Sequence, residues 1–241
     1  MYGIYKNNVI LFAAVVLALL LCLPFLAPSV AAKKQAPLKA PASSAVTSSK
    51  TAADDDSRFT AAGLVNLARM NAGFVFNLRY ATTNNFTGTK LYGAARAFLR
   101  AGTAQKLAAA NREFMSMGYR IKIFDAYRPY TIQKILFSKV PSGRAGYIAN
   151  PYKGGSNHNR GAAVDMTLVH LDGSPVAMPS DFDTFNERAS IYYKGCTKQQ
   201  AADRELMAAV MVRHGFKRLP CEWWHFDDTD VSKYGLIDIV F

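Results

Sequence analysis

The residue types that most often do chemistry are scarce in this chain: its 241 residues include four histidines, three cysteines and two tryptophans. Setting aside residues 1–32, only Cys196 and Cys221 remain, so at most one bridge can form within the rest. Acidic residues are also few, 17 against 29 basic ones, which leaves a formal net charge of +12. Such a balance suits anionic surroundings, a cell-wall polymer or a membrane surface, or simply gives a basic solvated face. No Lys/Arg run is interleaved with aromatics, which argues against a nucleic-acid partner. No internal repeat is present, so a stacked-repeat architecture is excluded.

One long apolar run exists, Val9 to Leu26. With Lys6 before it and the small-residue pairs Ser29/Ala31 and Val30/Ala32 after it, residues 1–32 read as a signal peptide for export to the periplasm or beyond. The run is also nearly long enough to span a bilayer, so an uncleaved inner-membrane anchor over residues 9–26 is the alternative. Leu21 before Cys22 has the wrong size for lipoprotein processing. Residues 33–58, rich in Ala, Ser, Lys and Pro, lack the apolar side chains that offset ordering entropy and read as a disordered linker. Residues 59–241 then make one domain of ordinary size.

Within that domain, Tyr119–Phe124 alternates as a strand, and Val164–Val169 reads as a second that carries Asp165 inward. Phe74–Tyr80 alternates well enough for another. Ala94–Leu99, Ala101–Met117, Thr131–Phe137 and Lys198–His214 read as helices, with Gly118 and Gly215 as stops. Asp172-Gly173 is a turn. The irregular alternation predicts an α+β fold: a small, mainly antiparallel sheet with helices packed on it.

Two stretches carry chemistry, Ser156-Asn-His-Asn-Arg-Gly-Ala-Ala-Val-Asp165 and Glu222-Trp-Trp-His225. His158, Asp165 and His225 form a two-histidine, one-carboxylate set, which leaves a tetrahedral zinc one open position for water. Glu222, three residues before His225, suits a general base that is not itself a ligand. On a regular strand positions three apart face opposite sides, so the two share a site only if a bulge or strand end intervenes.

With Asp125-Ala-Tyr-Arg-Pro129, these stretches resemble the zinc D-alanyl-D-alanine dipeptidases. Arg79–Thr82, Asn85–Gly88, Phe182-Asp183 and Glu187-Arg188 agree, in order, from about Phe59 to Phe241. The resemblance implies a fold shared by zinc D,D-peptidases and hedgehog-like domains, one Zn2+ per chain, and hydrolysis of D-Ala-D-Ala or a short D-amino-acid peptide. It implies that Arg128 stabilises the oxyanion, Asp183 binds the substrate ammonium, and Ser156 and Tyr80 contact substrate. The sequence departs from the family at Asn159, where Ser is usual, at Ser190-Ile191, where a Ser-His pair is common, and in a shorter loop over Val140–Gly155.

Two other readings stand beside a dipeptidase: a D,D-carboxypeptidase or peptidoglycan endopeptidase of the same superfamily, and a non-catalytic wall-binding protein. Asp183 separates the first pair, because an ammonium anchor rejects substrates without a free amine. Export would place the protein among wall-turnover peptides. Cys196 and Cys221 admit a disulfide, two buried thiols, or zinc ligation by Cys221.

Overall fold

The computed structural model describes residues 56–241. The expected signal or anchor and the linker up to residue 55 lie outside the described residues. Among the described residues no helix is long and apolar enough to cross a membrane.

Seven strands form, β1 (Leu64–Asn66), β2 (Val75–Phe76), β3 (Phe98–Arg100), β4 (Tyr119–Asp125), β5 (Ala163–His170), β6 (Phe216–Leu219) and β7 (Glu222–Asp228). Five of them make a sheet in the order β2-β4-β5-β7-β6, antiparallel except for β2 beside β4. β1 and β3 pair separately as an antiparallel ribbon. β5 lies at the centre and is buried along seven of its eight residues, the polar Asp165 and Thr167 among them.

Among the described residues three longer helices pack with these strands, α1 (Ala101–Ser116), α2 (Tyr130–Lys139) and α3 (Lys198–Arg213), and residues 56–61 are helical as well. α1 packs on β4 and on α3, and α3 packs on β6. In α1 the buried Ala104, Leu107, Ala108 and Phe114 recur at helical spacing. Asn111 on the same helix is fully buried, donating to Ala72 O (2.7 Å) and accepting from Ile121 N–H (2.7 Å). A buried amide satisfied on both sides fixes the helix against β4. α3 begins with a capping box between Thr197 and Gln200, and Gly215 at φ +83° follows its end.

Three expectations are corrected. Phe74–Tyr80 is strand only at Val75–Phe76, because Arg79–Ala81 turns into a 3-10 helix whose ends hydrogen-bond locally. Ala94–Leu99 is not helical: Phe98–Arg100 is recruited as a strand by Leu64–Asn66, and tertiary pairing overrides alanine's helix propensity. The ordered chain already includes residue 56, not 59: the buried Asp56 accepts from Asn66 (3.0 Å) and pairs with Arg96 (2.7 Å) and Arg69 (2.9 Å). The main core lies between the sheet and its helices. A smaller cluster of Phe59, Leu64, Phe98 and Tyr127 is covered by Ile237, Ile239 and Phe241.

Candidate active site

The site is assembled where three neighbouring strands end. Antiparallel register sets Asp125 of β4 opposite Asp165 of β5, and Asp165 opposite His225 of β7, so one row across the sheet carries three of its polar groups. A 3-10 turn, Asn157–Arg160, adds His158 above this row. The expected irregularity in β7 is present: Phe226 pairs with Arg218, yet Glu222 pairs with Leu219, so the register shifts between them. That shift turns Glu222 and Trp224, as well as His225 and Asp227, toward one cavity.

His158 Nε2 and His225 Nδ1 lie 3.2 Å apart, and each meets Asp165 Oδ1, at 3.2 and 3.0 Å. The outer nitrogens settle both tautomers. His158 Nδ1–H donates to Ala126 O (2.6 Å), and His225 Nε2–H donates to Asp227 Oδ1 (2.9 Å). Once each ring carries only that proton, both inner nitrogens present lone pairs. A cation, either a second proton on His225 or a metal ion, holds three such groups at this distance, and the set is chemically right for a metal ion: His158, Asp165 and His225 offer donor atoms all within 4.8 Å of one another. Burial pushes Asp165 up, but the two histidines outweigh it and hold the carboxylate below its ordinary range. Burial draws His225 down, but its bonds to Asp165 and Asp227 raise it well above the usual imidazole value.

Arg128 is buried and held at three points: Nε–H donates to Asp125 Oδ2 (2.9 Å), an Nη1–H to Gln133 Oε1 (2.8 Å), and an Nη2–H reaches Asp165 Oδ2 at 3.5 Å. Its guanidinium lies over the Tyr80 ring, 5.2 Å from the centroid, and lines the cavity. Tyr92 O–H donates to the other oxygen of Asp125 at 2.7 Å. Asp125 thus orients Arg128. Asn159, the departure from the family pattern, donates from Nδ2 to Arg128 O (2.8 Å) and accepts from Ser156 N–H (2.8 Å). It ties the His158 turn to the Arg128 loop.

Glu222 is buried, 3.8 Å from His225 Nδ1, and burial pushes its carboxyl up to about 7. Asp183 contrasts with it. Its backbone is left-handed (φ +58°), a conformation that aspartate tolerates better than most residues. Its carboxylate, facing the cavity, accepts among the described residues from the Tyr80 hydroxyl alone, at 3.0 and 3.2 Å. Enclosure raises Asp183 well above the usual carboxylate range, and the nearby Asp165 adds to this. Ser156 lines the cavity while its Oγ caps the His158 turn, accepting from His158 N–H at 3.3 Å.

All eight residues expected at the site, Tyr80, Arg128, Ser156, His158, Asp165, Asp183, Glu222 and His225, line one cavity of about 280 Å³. That is close to the small end of ligand pockets. Residues 146–149 of the shortened loop line it too, but Ser190 does not; it packs against Pro220 behind Cys221. Of the possibilities open to the two cysteines, the structure has them unbridged. Cys221 borders the cavity, whereas Cys196 turns toward Tyr193 O (3.5 Å) in a separate loop, and both thiols are free. Asp227, Gln133 and Tyr92 were not anticipated. Asp227 sits two residues after His225, on the same face of the strand, and that spacing was available in the sequence. Gln133 and Tyr92 come from other elements and carry no local signal.

A converging His–Asp–His donor set, a carboxyl beside it and a clamped arginine define a site able to hold a metal ion and polarise a bound carbonyl. The sequence pattern of peptidase M15, D-ala-D-ala dipeptidase, matches residues 60–236, and the chain belongs to that family. It is 33% identical to an Escherichia coli (strain K12) D-alanyl-D-alanine dipeptidase over 72% of this chain and 89% of that one. It is 31% identical to one from Enterococcus faecalis (70% and 92% covered) and 30% identical to one from Enterococcus faecium (68% and 90%).

Proposed function

We propose that this chain is an exported, zinc-dependent dipeptidase that hydrolyses D-Ala-D-Ala to two D-alanines during cell-wall turnover or salvage. His158, Asp165 and His225 would hold one zinc ion. When bound, zinc polarises the scissile carbonyl and lowers the pKa of a water from 15.7 to ~7.

The chain's own groups do the rest. Glu222 accepts the proton of the attacking water and delivers it to the leaving amine as the C–N bond breaks. Arg128, held by Asp125 and Gln133, directs donors at the oxygen that becomes negative when the carbonyl turns tetrahedral. Asp183 and the Tyr80 hydroxyl bind the substrate ammonium, and Ser156 supplies a further polar contact. Asp227 and Ala126 O keep the two histidines in ligand tautomers.

The observation that carries the reading is Asp183: an enclosed carboxylate with one hydroxyl partner, bordering the same small cavity as the donor set. A cation is what it lacks, and a free dipeptide brings one. Residues 1–32 support export, which would place the enzyme away from cytoplasmic precursor pools. The net charge of +12 favours residence near anionic wall or membrane surfaces. The test is D-alanine release from D-Ala-D-Ala by purified protein, with and without a chelator. Chelator-sensitive release supports the proposal; a zinc-loaded protein that releases none overturns it.

A further inference from the structure

Residues 237–241 lie beyond the family match, which ends at residue 236. They form no regular secondary structure, and their burial alternates: Ile237, Ile239 and Phe241 are partly covered, Asp238 and Val240 exposed. The three inward side chains cover the small cluster of Phe59, Leu64, Phe98 and Tyr127. The Phe241 ring stands 5.5 Å from Phe59, 6.0 Å from Tyr127 and 4.8 Å from Tyr92. The approach is close enough that a Cβ on Gly93 would sit 2.6 Å from Phe241 O.

Apart from Val240 O, which accepts from an Arg58 Nη2–H (2.9 Å), the polar contacts of this strap converge on one place. Ile239 N–H donates to the Tyr127 hydroxyl (2.8 Å), which donates to Ile239 O (3.2 Å). Tyr130 N–H donates to Ile237 O (3.3 Å), and Asp238 accepts from Thr131 N–H (2.8 Å) and Oγ1–H (2.6 Å). Ile237 N–H donates to Asn159 O (2.8 Å). The strap thus grips both sides of Arg128 and the residue after His158. Those two loops are already joined to each other, by Arg128 N–H to His158 O (3.1 Å) and by Asn159 to Arg128 O. Tyr92 gives a second route, since its ring meets Phe241 and its hydroxyl holds Asp125, the partner of Arg128.

We infer that residues 237–241 are a positioning strap that sets the Arg128 loop against the His158 turn, and that Phe241 is its anchor. The inference rests on Arg128 acting at the reacting carbonyl, as proposed above. A strap that merely added stability would have no reason to act through Arg128.

The experiment measures kcat, KM and zinc content on D-Ala-D-Ala for the native chain, Phe241→Ala, Phe241→Leu and Tyr127→Phe, each also in an Arg128→Lys background. Misplacement near 1 Å can cost on the order of a hundredfold. Phe241→Ala should therefore lower kcat by about tenfold or more, with KM and zinc content little changed. Phe241→Leu should restore most of the rate, and Phe241→Ala should add little once Arg128 is Lys. An unchanged kcat, or an equal loss in both backgrounds, overturns the inference. Should Phe241→Ala fail to fold, Tyr127→Phe removes only a hydroxyl and carries the same comparison. Amide exchange at Arg128 and Tyr130 reads the strap without catalysis: faster exchange in the variants supports it, unchanged exchange contradicts it. A native chain inert toward D-Ala-D-Ala would sink the proposed function while leaving this exchange test intact.

Discussion

Asp165 and Asp183 line one cavity and are opposite in their surroundings. Asp165 is buried and met by His158, His225 and Arg128. Asp183 has one tyrosine hydroxyl. Their titration follows suit, Asp165 held below the ordinary range and Asp183 raised well above it. Because an unpaired charge in a low-dielectric site is costly, a carboxylate surrounded by donors suits a permanent ligand, and one left short of positive charge suits a cation that comes and goes. On the proposed function, these surroundings divide the site into a metal half and a substrate half.

The metal half is broken most severely by His225→Ala, which removes one of three donors and exposes Asp165 to an unbalanced site. Bound zinc and hydrolysis should disappear together, read by metal analysis and D-alanine release; stoichiometric zinc at native affinity would remove His225 from the ligand set. Glu222→Gln tests the boundary between the halves. It should retain zinc and lose about 10²–10⁴-fold in kcat, the range of general-base contributions. In the native enzyme, hydrolysis should rise with pH as Glu222 deprotonates, with a midpoint at or below the value of about 7 that burial and its protein neighbours give it, since a bound cation favours the charged form.

How much of this was readable beforehand divides along the same line. β4 was legible from its alternation and β5 from the apolar residues around Asp165, both local signals. The donor set followed from His158, Asp165 and His225, and even the irregularity in β7 was required by having Glu222 and His225 three apart. What escaped was non-local. Phe98–Arg100 became a strand only because Leu64–Asn66 lay beside it. Arg128 is aimed by Gln133 and by an Asp125 that Tyr92 holds, and no spacing rule connects those residues. His214, at the C-terminus of α3, pairs with Glu113 at 2.6 Å, an acid on α1 that also bonds Arg213, and no local pattern links these residues.

The substrate half is sharpened by Asp183→Asn. A charge-assisted hydrogen bond is worth about 1.5–3 kcal/mol, so kcat/KM on the free dipeptide should fall on the order of ten- to a hundredfold. The same change should stabilise the metal-free protein. An acid whose folded pKa is raised keeps its proton while the unfolded chain has released it, so stability falls as pH climbs from the ordinary carboxylate value of ~4 toward the raised one. The amide escapes that loss, and thermal melting at neutral pH should move upward; a lower melting temperature would contradict this. The smallest effect belongs to Asp227→Asn, which leaves all three donors but weakens the acceptor that orients His225. Zinc affinity should drop by about tenfold, measured by competition with a chelator.

The division between the halves is tested most directly by one ratio: kcat/KM for D-Ala-D-Ala over that for N-acetyl-D-Ala-D-Ala, in the zinc-loaded native enzyme and in Asp183→Asn. Both substrates present the same scissile bond to the metal half and differ only at the amine. The ratio should be large in the native enzyme and fall by on the order of tenfold or more in the variant, chiefly through loss on the free dipeptide. A native enzyme that prefers the blocked peptide, or a ratio that Asp183→Asn leaves unchanged, would show that Asp183 does not anchor the ammonium and would reassign the site to longer D,D-peptides.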